Sequence, residues 1–206
     1  MRTERVSASP FWAGVRALAR LGWKDADGRS EGREVAAPAF KPTTGDARIG
    51  DLLRVELVLP AVCADGRDDV IETLAARVAA CHPGVDAARL VAAVREREDQ
   101  MTTALVDGVA IPHARMSGLD RTVAAFARSA AGIPWNSLDG VPTHLIFLLA
   151  GPADLPGSYL KTLAGVARLL SGARCRTRLL EAAGEAEMLA VLRDEEDRGL
   201  RNARAA

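Results

Sequence analysis

The chain has 206 residues, about one domain by length, and its 49% hydrophobic and 26% charged residues are an ordinary globular balance. Lys+Arg and Asp+Glu both number 27, and the zero formal charge argues against phosphate-driven nucleic-acid binding as the main function. No stretch approaches the ~18 apolar residues of a membrane-spanning helix, and Cys63, Cys81 and Cys175 stand too far apart for a disulfide framework or a zinc site.

Residues 1–45 read as an N-terminal extension, with Gly28, Gly32, Pro38, Pro42 and Gly45 among scattered charges. Within it the pattern over 9–23 predicts an amphipathic helix, capped by Ser9, with Pro10 at the first helical position and Gly22 as its stop. Its Phe11, Trp12, Val15, Leu18 and Trp23 suit packing on its own domain or on the mate in a homodimer. The other reading is a helix that binds a partner or a membrane surface. No apolar run with a small-residue cleavage site opens the chain, so the expected location is the cytoplasm.

A domain is expected over 46–197, with 198–206 as a tail. Residues 68–81 place Val70, Ile71, Leu74 and Val78 on one helical face, with Asp68 as the cap. Pro83-Gly84 breaks the chain, and a second helix follows over 86–98. Extended segments at 103–106 and 108–111 end at Pro112, and 121–128 alternates like a strand. After a turn-rich connector from Gly132 to Pro142, residues 143–150 (THLIFLLA) form an apolar run expected of a strand buried on both faces. Helical spacing returns over 157–171, and two short helices at about 174–183 and 185–194 close the domain. The sum is an α/β (α+β) fold, a mixed sheet of about five strands flanked by helices on both sides.

No nucleotide loop, metal-ligand pair or nucleophile elbow is present, and His82, His113 and His144 are too dispersed for a local metal motif. His82 follows a helix end, where a cation beside the last carbonyls is ordinary. His144 enters the apolar strand and reads as structural. His113 follows Pro112 in a loop just after a strand, where open α/β sheets place functional groups.

The stretch 97–115 (REDQMTTALVDGVAIPHAR) resembles the active-site signature of the mannitol/fructose-type enzyme IIA domains of the bacterial phosphoenolpyruvate-dependent sugar phosphotransferase system. This is the EIIA type-2 family, which includes a nitrogen-regulatory branch. Arg97-Glu98 lies sixteen residues before His113, followed by Thr102-Thr103 and then Val109-Ala110-Ile111-Pro112-His113-Ala114. The resemblance continues through Leu145–Leu149, Pro152-Ala153-Asp154 and Leu160-Lys161-Thr162-Leu163, and covers roughly residues 50–195.

The resemblance implies the EIIA type-2 fold and a phosphohistidine carrier that needs no metal, nucleotide or other cofactor. His113 would accept a phosphoryl group from an HPr-like phosphocarrier protein and pass it to a IIB domain, or hold it as a signal toward a regulated target. A neutral imidazole is nucleophilic near pH 7, and Arg97 offers a permanently charged fork for two phosphate oxygens. The competing role for Arg97 is a helix-end salt bridge with Glu98 or Asp99. The hydroxyls of Thr102 and Thr103 complete the phosphate cradle or serve as packing. With no IIB-like cysteine segment, the chain looks more like the regulatory branch.

Two departures from the family pattern carry consequences. Ala104 and Val106 stand where glycines are usual, and a β-branched residue resists φ > 0, so an altered turn with fewer N–H donors is expected near Val106. Tyr159 stands where many members have a second active-site histidine, at the start of the helix after the long strand. Its hydroxyl can bond a phosphate but carries no positive charge at pH 7. It is expected to lie beside His113. These departures motivate an alternative reading, a degenerate interaction module with the fold but without efficient transfer.

Overall fold

The structure, a computed structural model, describes residues 48–154 and 156–205; the helix expected over 9–23 lies outside the described residues. The described chain opens with a short helix α1 (Ile49–Leu52), a single 3-10 turn (Val55–Leu57) and β1 (Val58–Leu59). Two longer helices follow, α2 (Arg67–Cys81) and α3 (Ala87–Gln100). The Asp86 carboxylate caps α3 by accepting from the Arg89 N–H at 3.1 Å. Contrary to expectation, α2 starts from Gly66 without a side-chain cap, and Asp68 sits in its first turn, where its charge favours the helix N-terminus. The cation at the end of α2 is Arg54, whose Nη2 donates to the Cys81 carbonyl at 2.8 Å, and not His82. Burial, with Arg54 and Arg121 nearby, holds His82 below its ordinary pKa and therefore neutral at pH 7.

The remaining strands are β2 (Val109–Ala110), β3 (His113–Met116), β4 (Val123–Ile133) and β5 (Thr143–Pro152). They form a mixed sheet of five strands in the order β1-β4-β5-β2, with β3 also on β5. Only β4 and β5 run antiparallel; β1 is parallel to β4, and β2 and β3 are parallel to β5. β2 and β3 share one edge of β5 in continuous register, with Val109 opposite Leu145 and His113 opposite Leu149. Pro112 interrupts that edge because it has no N–H, although its carbonyl still accepts from the Leu149 N–H at 3.0 Å. His113 is therefore the first residue of an edge strand, not a loop residue as its position after Pro112 suggested.

β5 is the centre of the core. Leu145, Ile146, Phe147, Leu148 and Leu149 are all essentially inaccessible, as expected of a strand covered on both faces. Phe147 meets Phe126 of β4 with ring centroids 5.8 Å apart. Each such side chain contributes ~1.5–3 kcal/mol on burial. β4 runs five residues past the expected end at Arg128, through a register shift between Arg128 and Ile133. Gly132 is the reason: it takes φ 78°, and a Cβ there would meet Pro142 and His144. The glycine that reads as a turn in sequence is a bulge within a strand.

The chain ends in α4 (Pro156–Ser171), α5 (Ala173–Glu181) and α6 (Glu185–Ala205). α6 overruns its expected end at 194 and takes up the tail. Its carboxylates hold it in place beyond the last apolar turn. Glu195 accepts from Arg178 at 2.7 Å, Asp197 pairs with Arg48, and Glu196 accepts the free N–H groups of Ile49 and Gly50 at 2.8 and 3.0 Å. No described helix is long and apolar enough to cross a membrane.

Candidate active site

A tight hairpin sets the position of His113. The Leu105 N–H bonds the Val109 carbonyl at 2.7 Å, and the Ile111 N–H bonds the Thr103 carbonyl at 3.1 Å. The two left-handed residues of its turn are Asp107 (φ 62°) and Gly108 (φ 73°), the Asp-Gly pair that such hairpins favour. Val106 is buried beside them with ordinary φ, so the β-branched residue is not strained in this turn. Asp107 is pinned from outside: its N–H donates to Asp139 at 2.7 Å and its carboxylate accepts from Arg176 at 2.9 Å.

His113 is 6% exposed, and its Nδ1 lies 2.7 Å from the Ile111 carbonyl oxygen. A carbonyl only accepts, so Nδ1 carries the proton and Nε2 holds the lone pair. Burial pushes the imidazole pKa down to about 4, and the Arg97 charge works the same way against the opposing Ile111 bond. The ring is thus neutral, with a fixed tautomer, across the physiological range. The unfolded imidazole takes its proton near pH 6.5 and the folded one only near 4. Stability from this group is present in full above pH 6.5 and is lost as pH falls toward 4, by ~3 kcal/mol at most. A proton titration followed by NMR should show no His113 transition between pH 7 and 5; a ring titrating near 6.5 would contradict this burial.

Arg97 lies in the last turn of α3 and is half-buried. Its Nη1 donates to the Met101 carbonyl at 3.1 Å, while Nη2 is buried with no hydrogen-bond partner. Neither expected salt bridge forms. Asp99 is taken by Arg67 at 2.6 Å, and the Glu98 carboxylate turns inward. Burial lowers the Arg97 pKa, yet a guanidinium stays charged in proteins.

Tyr159 is in the first turn of α4 and 2% exposed. Its ring centroid lies 6.5 Å from that of His113, tilted by 45°, so the two residues are neighbours across 46 positions of sequence. Its hydroxyl, like Arg97 Nη2, is buried without a partner, and burial pushes its pKa up despite the Arg97 and Arg115 charges. Two orphaned donors thus belong to the residues around His113: the Tyr159 ring is its neighbour, and the Arg97 charge acts on its imidazole. A buried donor without a partner costs ~1–3 kcal/mol, which an arriving anion would recover.

The two threonines differ: the Thr103 hydroxyl is committed within the fold, whereas that of Thr102 acts only as an acceptor. Thr103 is fully buried, and both its N–H (2.9 Å) and its hydroxyl donate to Glu98. The Thr102 hydroxyl accepts from the Ala104 N–H at 3.2 Å and shapes the start of the hairpin. Glu98 also accepts from Trp135 Nε1 at 3.0 Å. One carboxylate therefore joins the end of α3, the hairpin and the β4–β5 connection, a role the sequence reading missed. Its only local signal was the Arg97-Glu98 pair itself. Glu98→Ala leaves three buried donors unpaired and should destabilise the fold by ~3 kcal/mol or more, read from denaturant unfolding. His144 is structural as expected, with Nδ1 2.9 Å from the Ser129 carbonyl oxygen.

The chain matches the family model described as "Phosphoenolpyruvate-dependent sugar phosphotransferase system, EIIA 2" over residues 51–195. It is 37% identical over 122 residues to a nitrogen regulatory protein of Bradyrhizobium diazoefficiens, spanning 59% of this chain and 79% of that protein. It is 35% identical over 100 residues to the fructose-specific EIIABC component of Bacillus subtilis, spanning 48% of this chain but 16% of that protein. Among solved structures, the nitrogen regulatory protein IIA-Ntr from Neisseria meningitidis superposes with a TM-score of 0.65 at 26% identity, covering 70% of this chain and 98% of that one.

Proposed function

The chain belongs to the EIIA 2 family of the phosphoenolpyruvate-dependent sugar phosphotransferase system, and from that premise we propose that it carries a phosphoryl group on Nε2 of His113. The observation that carries the proposal is the pair of partnerless buried donors, Arg97 Nη2 and Tyr159 Oη, beside an imidazole whose tautomer is already set. In the transfer, the Nε2 lone pair forms the new N–P bond as the donor's phosphoryl bond breaks, and the donor's nitrogen leaves with that electron pair. The protein's part is to hold the nucleophile and to neutralise charge on the equatorial oxygens. No proton has to leave His113, because Nε2 is already bare.

The donor on this reading is an HPr-like phosphocarrier, and the recipient is a IIB domain or a regulated target protein. A donor charged from phosphoenolpyruvate places the reaction in the cytoplasm. Regulation is favoured over sugar uptake, because the nitrogen regulatory protein aligns over 122 residues at 37% identity and the fructose-specific protein over 100 at 35%. Incubation with phosphoenolpyruvate, enzyme I and HPr should add one acid-labile phosphate per chain. No incorporation with a cognate HPr would overturn the proposal. Passing the labelled protein to a purified IIB domain separates the roles: rapid transfer supports uptake, and retention of the label supports regulation.

A further inference from the structure

We propose that Arg115 is a further phosphate ligand of this site, supplying from β3 the positive charge that a tyrosine at position 159 cannot carry. The inference rests on the reading of His113 as phosphoacceptor.

The placement follows from strand geometry. His113 and Arg115 are alternate residues of β3, so their side chains leave the same face of the sheet. The residue opposite Arg115 on β5 is Gly151. A Cβ at Gly151 would collide with the Tyr159 ring, so the missing side chain is what lets Tyr159 lie against this face. His113, Arg115 and Tyr159 therefore line one patch, with Arg97 entering from the end of α3. Among these residues Arg115 is the exposed one, and it makes no ion pair or hydrogen bond among the described residues. The other arginines near this end are engaged: Arg67 with Asp99, Arg95 with Glu72, and Arg89 with the Ser117 carbonyl. The Arg115 charge already bears on the Tyr159 hydroxyl.

A guanidinium that is exposed, uncommitted and on the side of the nucleophile can swing onto an incoming phosphoryl group, because its stem is long and its head presents a two-pronged donor. In this arrangement Arg97 is the half-buried cation and Arg115 the exposed one.

The test compares Arg115→Gln and Arg115→Lys with the unchanged protein, using phospho-HPr and phosphoramidate as alternative phosphoryl donors, and follows phosphohistidine by ³¹P NMR. Arg115→Gln should slow labelling from both donors by about tenfold or more, shift the ³¹P resonance of phospho-His113, and leave the melting curve unchanged. Arg115→Lys should restore part of the rate. Arg121→Gln, a change at an exposed arginine outside the patch, should restore nothing and cost nothing. If Arg115→Gln slows only phospho-HPr and leaves phosphoramidate and the ³¹P resonance untouched, Arg115 docks the donor protein and the inference is overturned. It is equally overturned if neither rate moves. A wild-type protein that labels with neither donor sinks the phosphoacceptor reading itself, a failure distinct from one confined to Arg115.

Discussion

His113→Ala should fold and take up no acid-labile phosphate, with labelling reduced by at least ~10³-fold. The loss is this large because no other imidazole has the same arrangement. His144 is wedged against Gly108 and Gly132 with its Nδ1 held by the Ser129 carbonyl. His82 Nε2 is buried at the far end of α2, and the cations near it are committed, Arg54 to the Cys81 carbonyl and Arg121 to Asp120. Of the three histidines, only His113 has an arginine and a tyrosine as neighbours, Arg97 and Tyr159, that each hold a buried donor without a partner. The substitution removes one hydrogen bond to the Ile111 carbonyl and a modest volume, so the expected stability cost is ~1–3 kcal/mol, well short of unfolding a domain with this core. Circular dichroism confirms the fold, and mass spectrometry under alkaline conditions reads the phosphate. Label persisting in this variant would assign the phosphate to another residue and remove the basis for the mechanism.

The same residues show which features can be read from sequence and which cannot. The strand over 143–150 is legible because an unbroken apolar run has few other uses in a domain of this size. The Asp86 cap, unforeseen in the sequence reading, is satisfied within three residues, whereas the Asp107-Gly108 turn is held by the remote Asp139 and Arg176. The site signature is legible because Pro112, His113 and the Ile111 carbonyl that selects the tautomer are adjacent. What sequence cannot show is where a side chain turns when its partner is remote. Thr103 looks available to a phosphate, yet Glu98 claims it, and Glu98 is committed because Trp135 arrives from another part of the chain. Arg128 bonds the carbonyls of Pro60, Leu179 and Ala182, which no local pattern foretells. Gly132 reads as a turn until Pro142 and His144 are placed against it. α6 overruns for a related reason, since its acidic run finds Arg178, Arg48 and the start of α1 only in the folded chain.

Arg97→Ala should separate function from folding more cleanly than any other single change. Transfer to His113 should slow by ~10²–10³-fold, the usual cost of losing one pre-placed donor to a charge that develops in a transition state. The fold should change by no more than ~1 kcal/mol. Arg97 gives up a single hydrogen bond, to the Met101 carbonyl, and its other terminal nitrogen is a buried donor whose removal relieves a desolvation cost. A structural arginine at a helix end would instead be ion-paired, and both carboxylates that follow Arg97 are bonded elsewhere. Because the missing contact is made to the moving phosphoryl group, the loss should fall on the maximal rate rather than on the apparent affinity for the donor. Arg97→Lys should recover only part of it, since an ammonium brings charge without the two-pronged geometry. Glu98→Ala is the counterpart, with the larger effect on unfolding. If Arg97→Ala instead lowered the melting temperature sharply while transfer continued at the original rate, the guanidinium would be holding the end of α3 in place, and the charge facing His113 would have to come from Arg115 alone.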